Sequence, residues 1–522
     1  MSDAIVVGGG IAGLATAALL ARDGHRVTLL EARAQLGGRA GRWDAAGFRF
    51  DTGPSWYLMP EVFDHFFRLM GTSTEAELDL VRLDPAYRVF FEGEPDPLEL
   101  RSDRAAAMAA FEAIEPGAGA VLDAYLDSAD ETARLALQRF LYTDFASPRA
   151  LLSPDLLRRV GRLTTLLLQP LDRFVGRRFA DRRLRQVLGY PAVFLGTSPS
   201  RVPSMYHLMS RYDLDDGVRY PMGGFGELID AVARVARRAG ASLQTRTPVT
   251  RILVERGRAV GVHVTDAATG AERELRADLV VSAADGRHTD ADLLPPQHRT
   301  RPDAAWARSD PGPGAVLALL GVRGRLPQLA HHNLLFSADW NRNFGDIFGA
   351  TPRVPDPASM YACKPSATDP SVAPPDHENL FLLVPVPADP SIGAGGVDGQ
   401  GDPLVERTAD AAITQLASWA GIPDLAERIV VRRTIGPDDF ATWFNADRGG
   451  ALGPAHTLRQ SAFLRGRTAS ASADGLYFAG ATTIPGIGLP MCLISAELVA
   501  KAVRGDASCG PLAEPVVRRV GA

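Results

Sequence analysis

Three glycine-bearing segments hold the residues of this chain whose types and spacing could do chemistry. The first is Gly8, Gly9, Gly10 and Gly13, set between the apolar run Ile5-Val6-Val7 and small residues over 14–20, with Glu31 closing the next strand. An apolar strand, a tight glycine turn, a helix and an acidic strand end form a dinucleotide-binding βαβ unit. Gly8 permits the turn, Gly10 lets the backbone approach a pyrophosphate, and Gly13 lets the helix pack close on the strand. The helix N-terminus then offers unpaired N–H groups and a positive dipole end to phosphates. Glu31 suits a two-oxygen grip on a ribose diol, which disfavours a 2′-phosphate there.

The second segment, Leu36-Gly37-Gly38-Arg39-Ala40 followed by Phe50-Asp51-Thr52-Gly53-Pro54-Ser55, separates NAD from FAD. Gly38 and Gly53-Pro54 suit a backbone passing close to the same cofactor, and Arg39 adds a cation for its pyrophosphate. A nicotinamide swings away to meet its substrate, whereas a buried flavin is wrapped on several sides. Taken alone, Gly37-Gly38 has a simple loop turn as its lesser alternative. The third segment is Phe478-Ala479-Gly480 and then Pro485-Gly486-Ile487-Gly488-Leu489-Pro490, opening a helix over 491–503. It repeats the physics of the first, delivering N–H groups and a positive helix end to an electron-rich group. A flavin that gains a hydride develops negative charge near N1 and O2, where Gly480, Gly488, Leu489, Pro490 and Met491 would serve. A plain strand–helix connection is the alternative.

The elements that position these segments are spread along the chain. At 522 residues, two interleaved domains are the natural expectation. Residues 1–100, 217–300 and 430–505 read as a discontinuous FAD-binding domain, and 101–216 with 301–429 as a substrate-binding domain, leaving 506–522 as a tail. Tyr220-Pro221-Met222-Gly223-Gly224 opens a helix over 228–238, with Leu228, Val232 and Val235 at helical spacing. A strand beginning at Val249 is a candidate to pack on the adenine end. Residues 100–190 read as helices, and 300–430 as short strands in Pro- and Gly-rich chain. The fold class is α/β, or α+β overall.

Composition removes other classes. A net charge of −5 gives no reason to expect nucleic acid. The 3 cysteines, Cys363, Cys492 and Cys509, are far apart, lack metal spacing, and fit a reducing cytoplasm as small buried hydrophobes. No metal site is expected. Neither a secretory signal nor a run of the roughly 18–20 apolar residues that span a bilayer is read here.

In this order the motifs resemble the bacterial-type carotenoid (phytoene) desaturases over nearly the whole chain. The resemblance takes in Gly37-Gly38-Arg39, Asp51-Thr52-Gly53-Pro54, Tyr220-Pro221-Met222-Gly223-Gly224, Leu329-Ala330-His331-His332, Asp369-Pro370-Ser371-Val372-Ala373-Pro374-Pro375 and the closing segment. Pro490-Met491-Cys492-Leu493-Ile494-Ser495 is similar to actinobacterial-looking members. Two positions depart: Ile484 stands where many relatives place a His, and Ala481 where many flavoproteins place an acid. The resemblance implies a Rossmann-type FAD domain of the glutathione-reductase/amine-oxidase-like kind, interleaved with a substrate domain. It also implies FAD-dependent desaturation of 15-cis-phytoene towards lycopene or neurosporene, with oxygen or a quinone as electron acceptor and an oligomer left open. An allylic hydride would pass to flavin N5, and the delocalised cation would then lose a neighbouring proton, so no strong base is demanded. No base is assigned; His331 and His332 read as a loop pair, solvated or hydrogen-bonded, and Asp144 and Glu497 are no better supported.

A C40 hydrocarbon sets a further condition. At roughly 0.8 kcal/mol per CH₂-sized unit, moving about thirty units from lipid into water costs some 25 kcal/mol. Escape over that barrier is slower than about 10⁻⁵ per second. Substrate therefore passes directly from bilayer to enzyme, which is expected at the inner face of the cell membrane, peripherally bound. Candidate docking helices lie over 150–190, where arginines far outnumber acids. On one starting near Ser153, Leu156, Val160, Leu163 and Leu167 share a face while Arg158, Arg159 and Arg162 point elsewhere. A core-packed helix with a solvated arginine face is the equal alternative. Competing functions are a C30 or hydroxycarotenoid desaturase, an isomerase, saturase or ketolase, and a flavin-free prenyl-lipid escort. An amine oxidase is disfavoured because no aromatic pair flanks the closing segment.

Overall fold

A computed structural model describes residues 1–145, 158–266 and 269–515. Asp3–Val7 is buried on both sides and pairs in parallel with Arg26–Leu30 and with Leu279–Ser282. Ser242–Gln244 and Leu476–Phe478 extend the sheet at its two edges, giving five parallel strands with Asp3–Val7 at the centre. Strands on one flank precede those on the other in sequence. The crevice beyond the strand ends at Val7 and Ser282 is therefore the topological switch point, where open α/β sheets bind ligands.

Small side chains let helices crowd this sheet. In Ile11–Arg22 every residue but the last is buried, because the helix is flanked by Leu489–Arg504 and Phe225–Arg238. The opposite face is covered by the antiparallel sheet Val249–Glu255, Arg258–Thr265 and Glu272–Arg276, through Ile5, Val7, Ile252, Val262 and Val280. Coverage on both faces accounts for the unbroken apolar runs of the central strands.

A second, seven-stranded sheet runs Ile429–Ile435, Gly314–Arg323, His377–Val386, Met360–Cys363, His332–Phe336, Tyr87–Phe91 and Leu98–Leu100. All its neighbours are antiparallel except His332–Phe336 with Tyr87–Phe91. Pro403–Trp419 packs its Val405, Ala409, Ile413 and Leu416 on one face. Tyr87–Phe91, Leu98–Leu100 and nearly all of Ile429–Ile435, drawn from sequence with the cofactor half, thus build the other sheet. The region 300–430 holds two ten-residue strands rather than only short ones. Helices Arg104–Ile114, Ala118–Arg139 and Val160–Leu168 lie over 100–190 as read. Among the described residues no helix is long and apolar enough to cross a membrane.

Candidate functional site

Backbone meets backbone at the switch point. Gly8 has φ +100°, and a β-carbon on Gly13 would sit 1.9 Å from the Gly8 carbonyl oxygen, so only glycine lets the helix back onto the turn. The Gly37 N–H donates to the Gly9 carbonyl at 2.9 Å, which brings Gly38 against the Gly10 α-carbon. A β-carbon on Gly53 would lie 2.0 Å from the Arg39 carbonyl oxygen. The segments separated in sequence are thus stacked at one place, with Pro54 next in line. Gly10 itself faces open space, its nearest neighbour to an added β-carbon being the Gly37 oxygen at 4.0 Å.

The charges around this cradle are few. Glu31 is buried and accepts the Gly9 N–H at 2.6 Å and the Arg33 N–H at 2.8 Å, one on each oxygen. Each oxygen keeps a further lone pair. Arg39 lies 3.8 Å from Asp285, yet its Nε and Nη2 are buried without a hydrogen-bond partner. Burial raises the Asp285 pKa and the Arg39 charge opposes that rise. An unsatisfied guanidinium beside an open glycine turn and an unpaired helix terminus fits the pyrophosphate of a dinucleotide. Val249 begins its strand half-buried against the same sheet.

The far end of the chain returns here. Gly480 faces Ala12, 3.6 Å from where its β-carbon would be, and its N–H donates to the Ser495 hydroxyl at 3.0 Å. Gly488, at φ +114°, caps Leu489–Arg504, which starts two residues earlier than read and carries Pro490 in its first turn. The first intrahelical bond is Cys492 N–H to the Gly488 carbonyl, leaving the Leu489 and Met491 N–H groups for an electron-rich partner.

Two residues that sequence reasoning missed hold this closing loop. His456 Nε2 accepts the Ile487 N–H at 3.0 Å, so its Nδ1 carries the proton and donates to the Tyr206 hydroxyl at 2.7 Å. Burial drives its pKa well below the usual histidine value. Arg465 is buried and directs its guanidinium at the carbonyls of Pro454, Gln460, Ala481 and Thr483. Trp443 and Phe444, another missed feature, stand beneath Arg33, and Phe444 lies 5.9 Å from the Arg39 guanidinium.

Beyond Pro54 the chain enters a neutral aromatic cluster. Trp56 stacks on His332 at 4.3 Å, and the Tyr361 hydroxyl bonds both His332 Nδ1 at 2.6 Å and Ser55 Oγ at 2.8 Å. His331 Nδ1 meets Thr368 Oγ1 at 2.8 Å, and its ring stands edge-on to Tyr220 at 4.6 Å. Nε2 of both histidines and the Tyr220 hydroxyl have no partner. The pair is hydrogen-bonded and buried rather than solvated, because His332 begins an interior strand. Cys363 joins it, one ligand-type atom from each of the three lying within 4.8 Å of the others. Burial pushes His331 down to about 3, holds His332 well below the usual histidine value, and pushes the Cys363 thiol well up, so all three are neutral near pH 7. Asp51 and Asp369 act as braces. Asp51 accepts the Phe225 and Gly226 N–H groups, and Asp369 accepts the Gly223 N–H at 2.6 Å.

Val160–Leu168 departs from the core-packed reading of the basic helix, and its arginines are not all left to solvent. Arg159 and Arg162 pair with Glu131 on Ala118–Arg139, while Val160, Leu167 and Leu168 are exposed and Leu163 is half-buried. Leu156 and the expected start near Ser153 lie outside the described residues.

Comparison with known proteins fits this geometry. The model of flavin containing amine oxidoreductases matches residues 11–504. A carotenoid 3,4-desaturase of Haloarcula japonica is 40% identical over 97% of this chain and 98% of its own. A zeta-carotene-forming phytoene desaturase of Myxococcus xanthus is 36% identical over 95% and 92%. Among solved structures, cyclohexylamine oxidase from Brevibacterium oxydans superposes with a TM-score of 0.58 at 15% identity, covering 97% of this chain and 99% of its own.

Proposed function

We propose a substrate and a reaction course for this chain, which belongs to the flavin-containing amine oxidoreductase family and within it to the carotenoid desaturases, FAD-dependent oxidoreductases acting on CH–CH bonds. The substrate is 15-cis-phytoene, dehydrogenated repeatedly to neurosporene or lycopene. The observation carrying a hydrocarbon rather than an amine is the cluster beyond Pro54. His331, His332, Tyr220, Tyr361 and Cys363 are all held neutral by burial. Such a wall offers aromatic surface to a polyene, while the neighbouring carboxylates of Asp51 and Asp369 are engaged by backbone N–H groups.

Bound FAD supplies the hydride acceptor. Gly8, Gly10, Gly13 and Gly38 would admit its pyrophosphate against backbone, with Arg39 donating from its two unpartnered nitrogens. Glu31 would take the ribose diol on its remaining lone pairs and Val249 the adenine face. Leu489 and Met491 would bring N–H groups to the edge that gains negative charge, on a turn shaped by Gly480, Gly488 and Pro490. Gly53 and Pro54 close the opposite side. The proton leaving the substrate cation needs only a weak acceptor, which Nε2 of His331 or His332 would be in the tautomer that carries its proton on Nδ1.

Phytoene would come from a bilayer through the face bearing Leu167 and Leu168, with the protein bound peripherally at the cytoplasmic side and electrons passing to a quinone or oxygen. A second reading, desaturation at the 3,4 position of an already conjugated carotenoid, is favoured by the Haloarcula relative. Incubating the FAD-loaded protein with liposomes carrying phytoene or lycopene, followed by pigment chromatography, separates the two. Conversion of phytoene supports the first; conversion of lycopene alone supports the second; neither conversion overturns both.

A further inference from the structure

Six of the ten large apolar side chains exposed on the described residues gather in one region: Val160, Leu167, Leu168, Leu458, Phe463 and Leu464. The gathering is tertiary. Leu166 and Gln169 carbonyls accept the Ser204 hydroxyl and N–H, and two residues later the Tyr206 hydroxyl accepts from His456, just before the turn 458–464. Phe463, 68% exposed, also touches Phe145 at 6.4 Å.

The chain leaves this apolar patch directly into a basic cavity. Arg467 is the third residue after Leu464, so their α-carbons are at most about 11 Å apart. The cavity, about 410 Å³, is lined by Arg299, Arg301, Arg465 and Arg467 and by a single acid, Asp290. That acid is already engaged: Thr300, the Arg301 N–H and Trp306 Nε1 all donate to it. Arg465 is likewise committed, to backbone carbonyls. Arg301 lies over the Trp306 ring at 5.0 Å, and no carboxylate among the described residues pairs with it or with exposed Arg467. Arg299 pairs with Asp303 at the rim, but its Nε is buried and unpartnered.

Unpaired guanidinium groups in a concave site favour a phosphate oxyanion. Exposed leucine and phenylalanine within a few residues identify which phosphate, since a free anion would need no oily rim. We infer that this cavity receives the headgroup of an anionic phospholipid while Phe463, Leu464 and Leu168 enter the acyl layer beside it. The inference rests on the membrane delivery proposed above. It adds a lipid preference and an orientation, with the cavity mouth facing the headgroups.

The test is flotation of the FAD-loaded protein with phosphatidylcholine vesicles, with and without phosphatidylglycerol. Wild type should partition more strongly when phosphatidylglycerol is present. Arg301→Ala/Arg467→Ala should lose about thirtyfold of that binding, and Arg467→Ala alone about fivefold, with binding to phosphatidylcholine unchanged. The single variant, at an exposed position, covers the case in which the double variant does not fold. Arg459→Ala, an exposed charge beside the patch but outside the cavity, should cost clearly less than Arg467→Ala. An undiminished phosphatidylglycerol preference in the arginine variants, or an equal loss from Arg459→Ala, overturns the headgroup site while leaving membrane binding standing. Absence of wild-type flotation with either vesicle overturns both.

Discussion

The Ser495 hydroxyl accepts the Gly480 N–H at 3.0 Å and also meets the Thr483 hydroxyl at 2.9 Å, tying the last strand of the parallel sheet to the last helix. Because Gly480 in turn rests on Ala12, both ends of the polypeptide form one wall around Arg39. Arg39→Ala should therefore weaken FAD binding by about ten- to a hundredfold, the worth of a charge-assisted pair of hydrogen bonds. Titrating apoprotein with FAD and following flavin fluorescence checks this. Unaltered affinity would show that the pyrophosphate lies elsewhere.

Arg465 pairs with no carboxylate among the described residues, and burial lowers its pKa to about 10. Its donors keep four carbonyls satisfied around the closing loop. Arg465→Met should leave those acceptors unpaired and destabilise the fold by roughly 3 kcal/mol or more. A clear fall in thermal midpoint, together with easier loss of FAD, is the expected outcome.

Asp213 is buried, and its Oδ2 accepts the hydroxyls of Tyr87 and Tyr190 while Oδ1 has no partner. Burial raises its pKa to about 7. The folded state therefore binds the proton more tightly than the unfolded chain, whose aspartates titrate near 3.9. Stability from this group is fully present below about pH 4 and is lost as pH rises through about 7, by a few kcal/mol in all. Asp213→Asn keeps an acceptor for the tyrosines and removes the titration. The variant should be more stable than wild type at pH 8 and should flatten the stability profile between pH 4 and 7 in denaturant titrations.

Leu168 and Phe463 are 65% and 68% exposed, so replacing them with serine should leave the thermal midpoint unchanged. Leu168→Ser/Phe463→Ser should nevertheless slow conversion of liposome-borne phytoene by about tenfold or more, since each buried apolar side chain contributes about 1.5–3 kcal/mol. Phytoene delivered in detergent should be converted at the wild-type rate. Equal slowing in both formats would place the defect inside the enzyme.

The cofactor half was legible because its signals are local. Gly8, Gly13 and Gly53 occupy places where a β-carbon would strike backbone, and such positions announce themselves by residue type. Strand partners were not legible. Tyr87–Phe91 pairs with His332–Phe336 across more than two hundred residues, and nothing in either apolar run names the other. The same limit hid His456 and Arg465, whose partners are backbone groups of a distant loop. In the basic helix the core-packed alternative failed because it assigned arginine to solvent. Arg162 instead bonds Glu131 and Ser128 on a neighbouring helix, which turns the leucines outward. Cys363 read as a small buried residue, and it is one, but the sheet register Cys363–His332 also places it beside two imidazoles.

The central claim is that FAD held between the two ends of this chain oxidises an oily CH–CH bond at the neutral cluster around Trp56. Anaerobic mixing of the FAD-loaded protein with phytoene-loaded liposomes tests it most directly, with the flavin and carotenoid spectra followed together. The blue flavin absorption should bleach in step with the appearance of new conjugated double bonds. Flavin that stays oxidised while phytoene and every other carotenoid offered remain unchanged would contradict the account.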